Sequence, residues 1–175
     1  MAAQRWRARY AALGDKPKIG LSWRGGRRPK ERLQRTTQLP DWSAVLQCDA
    51  EFINLQYGDC SQDITEVRRE LGIEIHDWED ADPLADLDDF FGQISELDLV
   101  ISTDNSTVHF AGAAGVPVWN LLPQPSDFRW MLDRDDSPWY PSMRLFRQSS
   151  KGDWRSLFDD VGQQLEAHLS RGGSK

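Results

Sequence analysis

The chain has 175 residues, a formal net charge of −7, 39% hydrophobic residues and eight Trp. That is the length of one domain with apolar side chains enough for one sizeable core, which excludes a disordered chain. The apolar runs are too short to span a bilayer. The opening MAAQRWRARYAALGDK lacks the continuous apolar core of a secretion signal. Cys48 and Cys60 are too few for a disulfide framework and lack metal-ligand spacing, so free thiols, no metal and a cytoplasmic location are the expectation.

In chain order, strand-length apolar runs alternate with amphipathic stretches. Strands are predicted at KIGLSW (18–23), EFINLQ (51–56), IEIHD (73–77), LDLVIS (97–102), PVWNLL (117–122) and MRLFRQ (143–148). Helices are predicted over 2–13, 40–48, 62–71, 86–96, 106–114 and 154–169, with a short one near 127–132. Because a parallel return needs a crossover connection, strands separated by helices imply an α/β fold: a Rossmann-like three-layer αβα sandwich with a mainly parallel sheet of about six strands. The chain divides into an N-terminal helix over 1–15, one domain over 16–170 and a frayed tail over 171–175.

Charge is unevenly spread. Residues 1–35 hold eleven Lys or Arg against Asp15 and Glu31, a balance of +9, which leaves −16 for the other 140 residues. No Lys or Arg lies between Arg69 and Arg129. So acidic a body argues against a general nucleic-acid binder, which needs a basic face. The basic opening reads either as a solvated helix with a mobile loop or as a site for a small anion.

In open α/β sheets ligands sit beyond the carboxyl ends of the strands. That rule selects four junctions: WRGGRRPKERLQRTT, QYGDCS, TDNSTVH and PQPSDFRW. In TDNSTVH, Thr103 to Thr107 offer several N-caps and a row of backbone N–H groups at a helix start, and the helix dipole favours an anion there. His109, three and four residues after Ser106 and Asn105, falls on the same helical face. Capping alone would also explain these residues. At the first junction Gly25 and Gly26 permit close backbone approach, with Arg24, Arg27, Arg28, Lys30, Arg32 and Arg35 around them as a cationic loop. Neither a G-x-x-x-x-G-K-[ST] nor a G-x-G-x-x-G motif is present, which disfavours an NTPase and a nicotinamide enzyme. Trp130, Trp139 and Tyr140 read as a base- or sugar-stacking surface or, more simply, as anchors of a proline-rich loop; Trp119 reads as core.

The segments KIGLSWRGG, NLQYGD, DLDDFFGQISELDLVISTDNSTVHFAGAAGVPVWNLLP and DFRWMLDRDDSPWYPSMRLFRQ together resemble the C-terminal domain of GT-B glycosyltransferases. The similarity is greatest to the bacterial heptosyltransferase-like group associated with tetratricopeptide repeats, and it covers residues 16 to 165. The resemblance implies that the domain binds a nucleotide-diphosphate sugar, with Asp104, Asn105, Ser106, Thr107 and His109 at the diphosphate and donor sugar. Trp23, Arg24 and Gly25 are implied near the phosphates, and Gln56 in the same cleft. Asn105 departs from the Thr or Ser of the family pattern, so there the backbone donors carry the expectation. The acidic segment HDWEDADPLADLDDF follows the third strand, where family members cradle the nucleoside; most of its carboxylates read as a solvated loop, with Asp86 or Asp88 capping the next helix. The family implies catalysis by helix dipoles and cationic side chains, with no cofactor beyond the substrate and a catalytic base supplied by an N-terminal acceptor-binding domain. The chain has room for one of the two domains of such an enzyme, so an acceptor domain in cis or trans is an implied partner. A module that kept the fold and lost the chemistry is the alternative.

Overall fold

The computed structural model describes residues 2–26 and 28–172. Its core is a six-stranded sheet of β1 (Lys18–Ser22), β2 (Glu51–Asn54), β3 (Ile75–His76), β4 (Leu99–Thr103), β5 (Val118–Leu122) and β6 (Met143–Arg147). The spatial order is β3-β2-β1-β4-β5-β6, and every neighbouring pair is parallel. The helices are α1 (Ala2–Ala11), α2 (Pro29–Arg35), α3 (Ser43–Leu46), α4 (Ser61–Leu71), α5 (Leu87–Ser95), α6 (Ser106–Ala113) and α7 (Trp154–Gly172).

The strands read as near-continuous apolar runs because both sheet faces are covered. With side chains alternating, Ile19, Leu21, Phe52, Leu99, Ile101, Trp119, Leu121 and Phe146 enter the core beneath α3, α4 and α7. Ile53, Leu55, Val100, Val118, Leu122 and Leu145 enter the opposite core with residues of α1, α5 and α6. Two three-stranded wings therefore run outward from a central pair. The chain reverses its direction of travel across the sheet between β1 and β4, which pair with Ser22 opposite Ser102. That reversal opens a crevice at their carboxyl ends.

The helix that begins the basic opening, α1, is packed on the body and not merely solvated. In α1 the Trp6 ring is fully buried and its Nε1 donates to Asp89 at 3.1 Å. Tyr10 donates to the Gln93 carbonyl at 3.2 Å. Arg5, Arg7 and Arg9 pair with Asp89, Glu96 and Asp80, so α1 carries much of the positive charge that meets the acidic body. The Arg9 guanidinium lies 4.7 Å above the Trp6 ring and 5.3 Å above Trp78, an arrangement that holds the acidic segment after β3 against α1.

The structure corrects the reading of the first junction as a loop throughout, because residues 29–35 form α2. Pro29 supplies a preset φ in the first turn, and the Glu31 carboxylate reaches back to the Arg28 N–H at 3.2 Å. Of the tail placed at 171–175, Arg171 and Gly172 continue α7, and the remainder lies outside the described residues. The short helix expected near 127–132 is a 3-10 turn, Phe128–Trp130.

If α1 is part of the core, truncating Trp6 opens a cavity. Trp6→Ala is expected to lower the unfolding free energy by about 3–5 kcal/mol, and Arg7→Ala, which breaks an exposed pair, to leave the urea midpoint nearly unchanged. Equal midpoints for the two variants would show α1 to be an appendage.

Candidate functional site

Two buried amides fix the crevice. Gln56, just past β2, accepts through Oε1 from Ser22 Oγ at 3.1 Å, the Trp23 N–H at 3.0 Å and the Arg24 N–H at 2.7 Å. Its Nε2 donates to the Tyr57 carbonyl at 3.3 Å. Asn105 caps α6: its Oδ1 accepts from the Thr107 N–H at 2.8 Å and from Ser102 Oγ at 3.3 Å. Its Nδ2 donates to Ser22 Oγ at 2.8 Å and to the Arg24 carbonyl at 3.0 Å. Between them lies Gly25, where a Cβ would stand 2.9 Å from the Asp104 carbonyl oxygen and 3.3 Å from Asn105 Cβ. Glycine is what lets the β1 loop rest on the β4–α6 junction.

These contacts reassign several sequence candidates. Trp23 is corrected from a phosphate neighbour to a core residue: its ring is fully buried, and Nε1 donates to Asp63 at 2.8 Å. Thr107 is likewise buried in the first turn of α6. Both ends of the Asn105 side chain are engaged in tying the junction together. Arg24, Gly25 and Gln56 line a cavity of about 750 Å³ on one side of α2, where Arg24 also donates to the Asp59 carbonyl at 2.9 Å.

A second cavity, of about 720 Å³, lies against α6 and brings Asp104, Asn105, Ser106 and His109 together with Gly26, Arg32, Arg35 and Arg129. Arg32 and Tyr57 border both cavities. Arg28 and Lys30 border neither, and Arg27 lies outside the described residues. The sequence reading missed Arg129 and Asp127. Their signal was an Asp-x-Arg pair at the fourth of the selected junctions, just past β5.

The charges are arranged in a chain. Asp127 accepts from Arg129 Nε at 2.9 Å, from the Arg129 N–H at 3.1 Å and from Arg35 at 3.3 Å. Burial works against its charged form, but the bonds from Arg129 and the charges of Arg129 and Arg35 hold its carboxyl below the usual carboxylate range. Arg35 also lies 3.3 Å from Asp104 Oδ2, an oxygen that has no hydrogen-bond partner among the described residues. Asp104 is only 1% exposed, and burial raises its pKa against the pull of Arg35. Burial, and next the charge of Arg129, lower the pKa of His109, so its imidazole is neutral at pH 7. His109 stacks on buried Trp130 with ring centroids 5.4 Å apart, and its Nδ1 lies 3.1 Å from the Tyr140 hydroxyl. Trp139 is not a core anchor: it is 60% exposed, and its Nε1 donates to the Arg129 carbonyl at 2.9 Å. In the acidic segment, Asp86 caps α5 by accepting from the Asp89 N–H at 2.9 Å. Chemically, a helix N-terminus facing three arginines offers backbone and guanidinium donors to a multivalent oxyanion.

No protein-family model matches the chain. Protein FlbA of Caulobacter vibrioides is 38% identical over 161 residues, 91% of this chain and 27% of FlbA, so the chain spans about a quarter of the length of the curated relative it matches. Among solved structures, the ADP-heptose LPS heptosyltransferase II of E. coli matches with a TM-score of 0.62 at 14% identity, over 99% of this chain and 52% of that one. A glycosyl transferase of family 9 from Veillonella parvula matches with a TM-score of 0.53 at 17% identity, over 95% of this chain and 52% of that one. The chain is an α/β domain with a GT-B-like glycosyltransferase fold. In extent it corresponds to about half of each of these two enzymes.

The raised pKa of Asp104 has a stability consequence. A carboxyl whose folded pKa lies above its unfolded value contributes stability when protonated and loses it as pH rises through the folded pKa. Asp104→Asn escapes that loss, while Arg35 keeps Asp127 as partner. The variant is expected to be more stable than the unaltered chain at pH 7 by about 1 kcal/mol, the gap closing as pH falls toward 4. A urea series at several pH values reads this directly, and a gap that widens in acid would contradict it.

Proposed function

We propose that the chain is the donor-binding domain of a glycosyltransferase, which holds a nucleotide-diphosphate sugar while the sugar passes to an acceptor presented by another domain, in cis or in trans. The observation that carries this reading is the convergence of the α6 N-terminus with Arg32, Arg35 and Arg129 on one cavity at the carboxyl ends of the central strands. A departing diphosphate gathers negative charge as the sugar–oxygen bond breaks, and preset donors that need no reorganisation lower that barrier. Ser106 and the first turn of α6 would meet one phosphate and the guanidinium groups the other, with the leucine side of the cavity, at Leu84, toward the nucleoside. On this reading the domain works in the cytoplasm, and it catalyses little without its acceptor partner.

A non-catalytic module of the same fold is the second reading. It is favoured by the existing pairing of Arg35 and Arg129 with Asp104 and Asp127, which leaves their charge partly neutralised before any ligand arrives.

Titration of ADP, UDP and GDP separates the two. Backbone amide shifts at residues 24–35 and 104–109 are expected to move with at least one nucleotide, and Arg129→Ala to weaken that binding about tenfold, the worth of one charge-assisted bond. Amides that stay still at millimolar nucleotide would sink the donor reading and leave the module.

A further inference from the structure

The sequence leaves Tyr140 as a loop anchor or a stacking surface, but the structure gives its hydroxyl one specific partner. Besides the 3.1 Å approach of Oη to His109 Nδ1, the two rings meet edge-on at 5.7 Å and 62°. The tyrosine ring reaches that place only because α6 carries Gly112 there, where an added Cβ would stand 2.5 Å from Tyr140 Cγ. Trp130, stacked on the imidazole, supplies a further wall. The imidazole is thus fixed in orientation, it borders the cavity, and its Nε2 has no hydrogen-bond partner among the described residues.

A neutral imidazole has one N–H and one lone pair, so whatever Nδ1 does, Nε2 does the opposite. We propose that Tyr140 is a positioning residue: its hydroxyl donates to His109 Nδ1, which places the ring N–H on Nε2 and makes His109 a hydrogen-bond donor to a phosphate or sugar oxygen, not a general base. A phenol O–H donates more readily than its oxygen accepts. The cavity's guanidinium groups select oxygen-rich anions, and such ligands need donors. The charged groups facing His109 are Arg129 after β5, Asp104 at the end of β4 and Asp127 at the start of the 3-10 turn; the arginine and burial oppose an imidazolium while the two carboxylates favour it. The nature of the ligand rests on the donor reading above, whereas the orientation of the proton does not.

The test uses the whole chain with ¹⁵N-labelled histidine. Nitrogen shifts are expected to show His109 mainly as the Nε2–H tautomer. Tyr140→Phe, with its unfolding midpoint as a control on the fold, should raise the Nδ1–H share several-fold. It should also raise the pKa of His109, because the bond that favoured the neutral form is gone. An Nδ1–H tautomer in the unaltered chain, or a tautomer and pKa unmoved by the substitution, overturns the proposal. For the nucleoside diphosphate that shifts the amides, Tyr140→Phe should weaken binding about three- to tenfold, and adding it to His109→Ala should cost nothing more; a further loss in the double variant would mean that Tyr140 acts on the ligand by itself. If no nucleotide binds either chain, the donor reading fails, and the tautomer result still decides the role of Tyr140.

Discussion

Everything at the candidate site depends on one close approach, that of the β1 loop to the β4–α6 junction. A parallel sheet whose order reverses between β1 and β4 provides a crevice, but a crevice is only a gap until its walls are fixed. Here two buried amides supply the fixing. Gln56 reaches across from β2 to collect two consecutive backbone N–H groups of the loop, and Asn105 reaches from the α6 cap to its carbonyl. Ser22 lies between them and is bonded to both. Each of these polar groups is costly to bury alone and inexpensive when all are satisfied together, which makes the arrangement hold as a unit. Gly25 is the steric condition for it, since any side chain there would press on the Asp104 carbonyl.

Fixing the backbone in turn sets the charges. Arg35 at the end of α2 is drawn between Asp104 and Asp127, and Asp127 clasps Arg129 from a 3-10 turn after β5. Two separate segments, α2 and the turn after β5, thereby present guanidinium groups in one place. Left alone, like charges so close would repel and the long side chains would wander; the carboxylates hold them at a modest cost to their free charge. On the donor reading, the diphosphate of an incoming nucleotide sugar matches the charge of two carboxylates and gains more as the sugar leaves, so it can share or replace those partners. Buried Asp104, whose Oδ2 pairs with Arg35 but accepts no hydrogen bond among the described residues, is the least satisfied member of the set.

The six strands, their parallel arrangement and most helices were legible in the sequence because period and punctuation report local structure directly. Residues 99–122 gave strand, cap, small-residue helix and strand in order, and the structure places them so. The α2 helix was not legible because six basic residues and a Gly-Gly pair outweighed the weaker signs of Pro29 and Glu31. Trp23 was misplaced for a related reason: proximity in sequence to Arg24 says nothing of which side of the sheet a ring takes. Its position one step past β1 continues the alternation of Ile19 and Leu21, and that parity sends it into the core. Asp127 and Arg129 were passed over because an Asp-x-Arg pair is a weak local signal, and their importance comes from Arg35, 92 residues from Asp127, across the crevice.

The rim of the site has a different chemistry from its floor. Leu33, Leu84 and Phe128 are 85%, 70% and 87% exposed, although each belongs to a segment that also carries or borders the arginine cluster. Charged contacts made in open water are weak, and the same contacts gain several-fold when water is excluded. On the donor reading, a second surface laid over this rim would therefore act twice. It would bury apolar side chains that now face solvent, and it would lower the dielectric around a diphosphate held by Arg32, Arg35 and Arg129. Binding of the donor and closure of the acceptor side would then be coupled through a shared layer of excluded water, with no rearrangement of the sheet required.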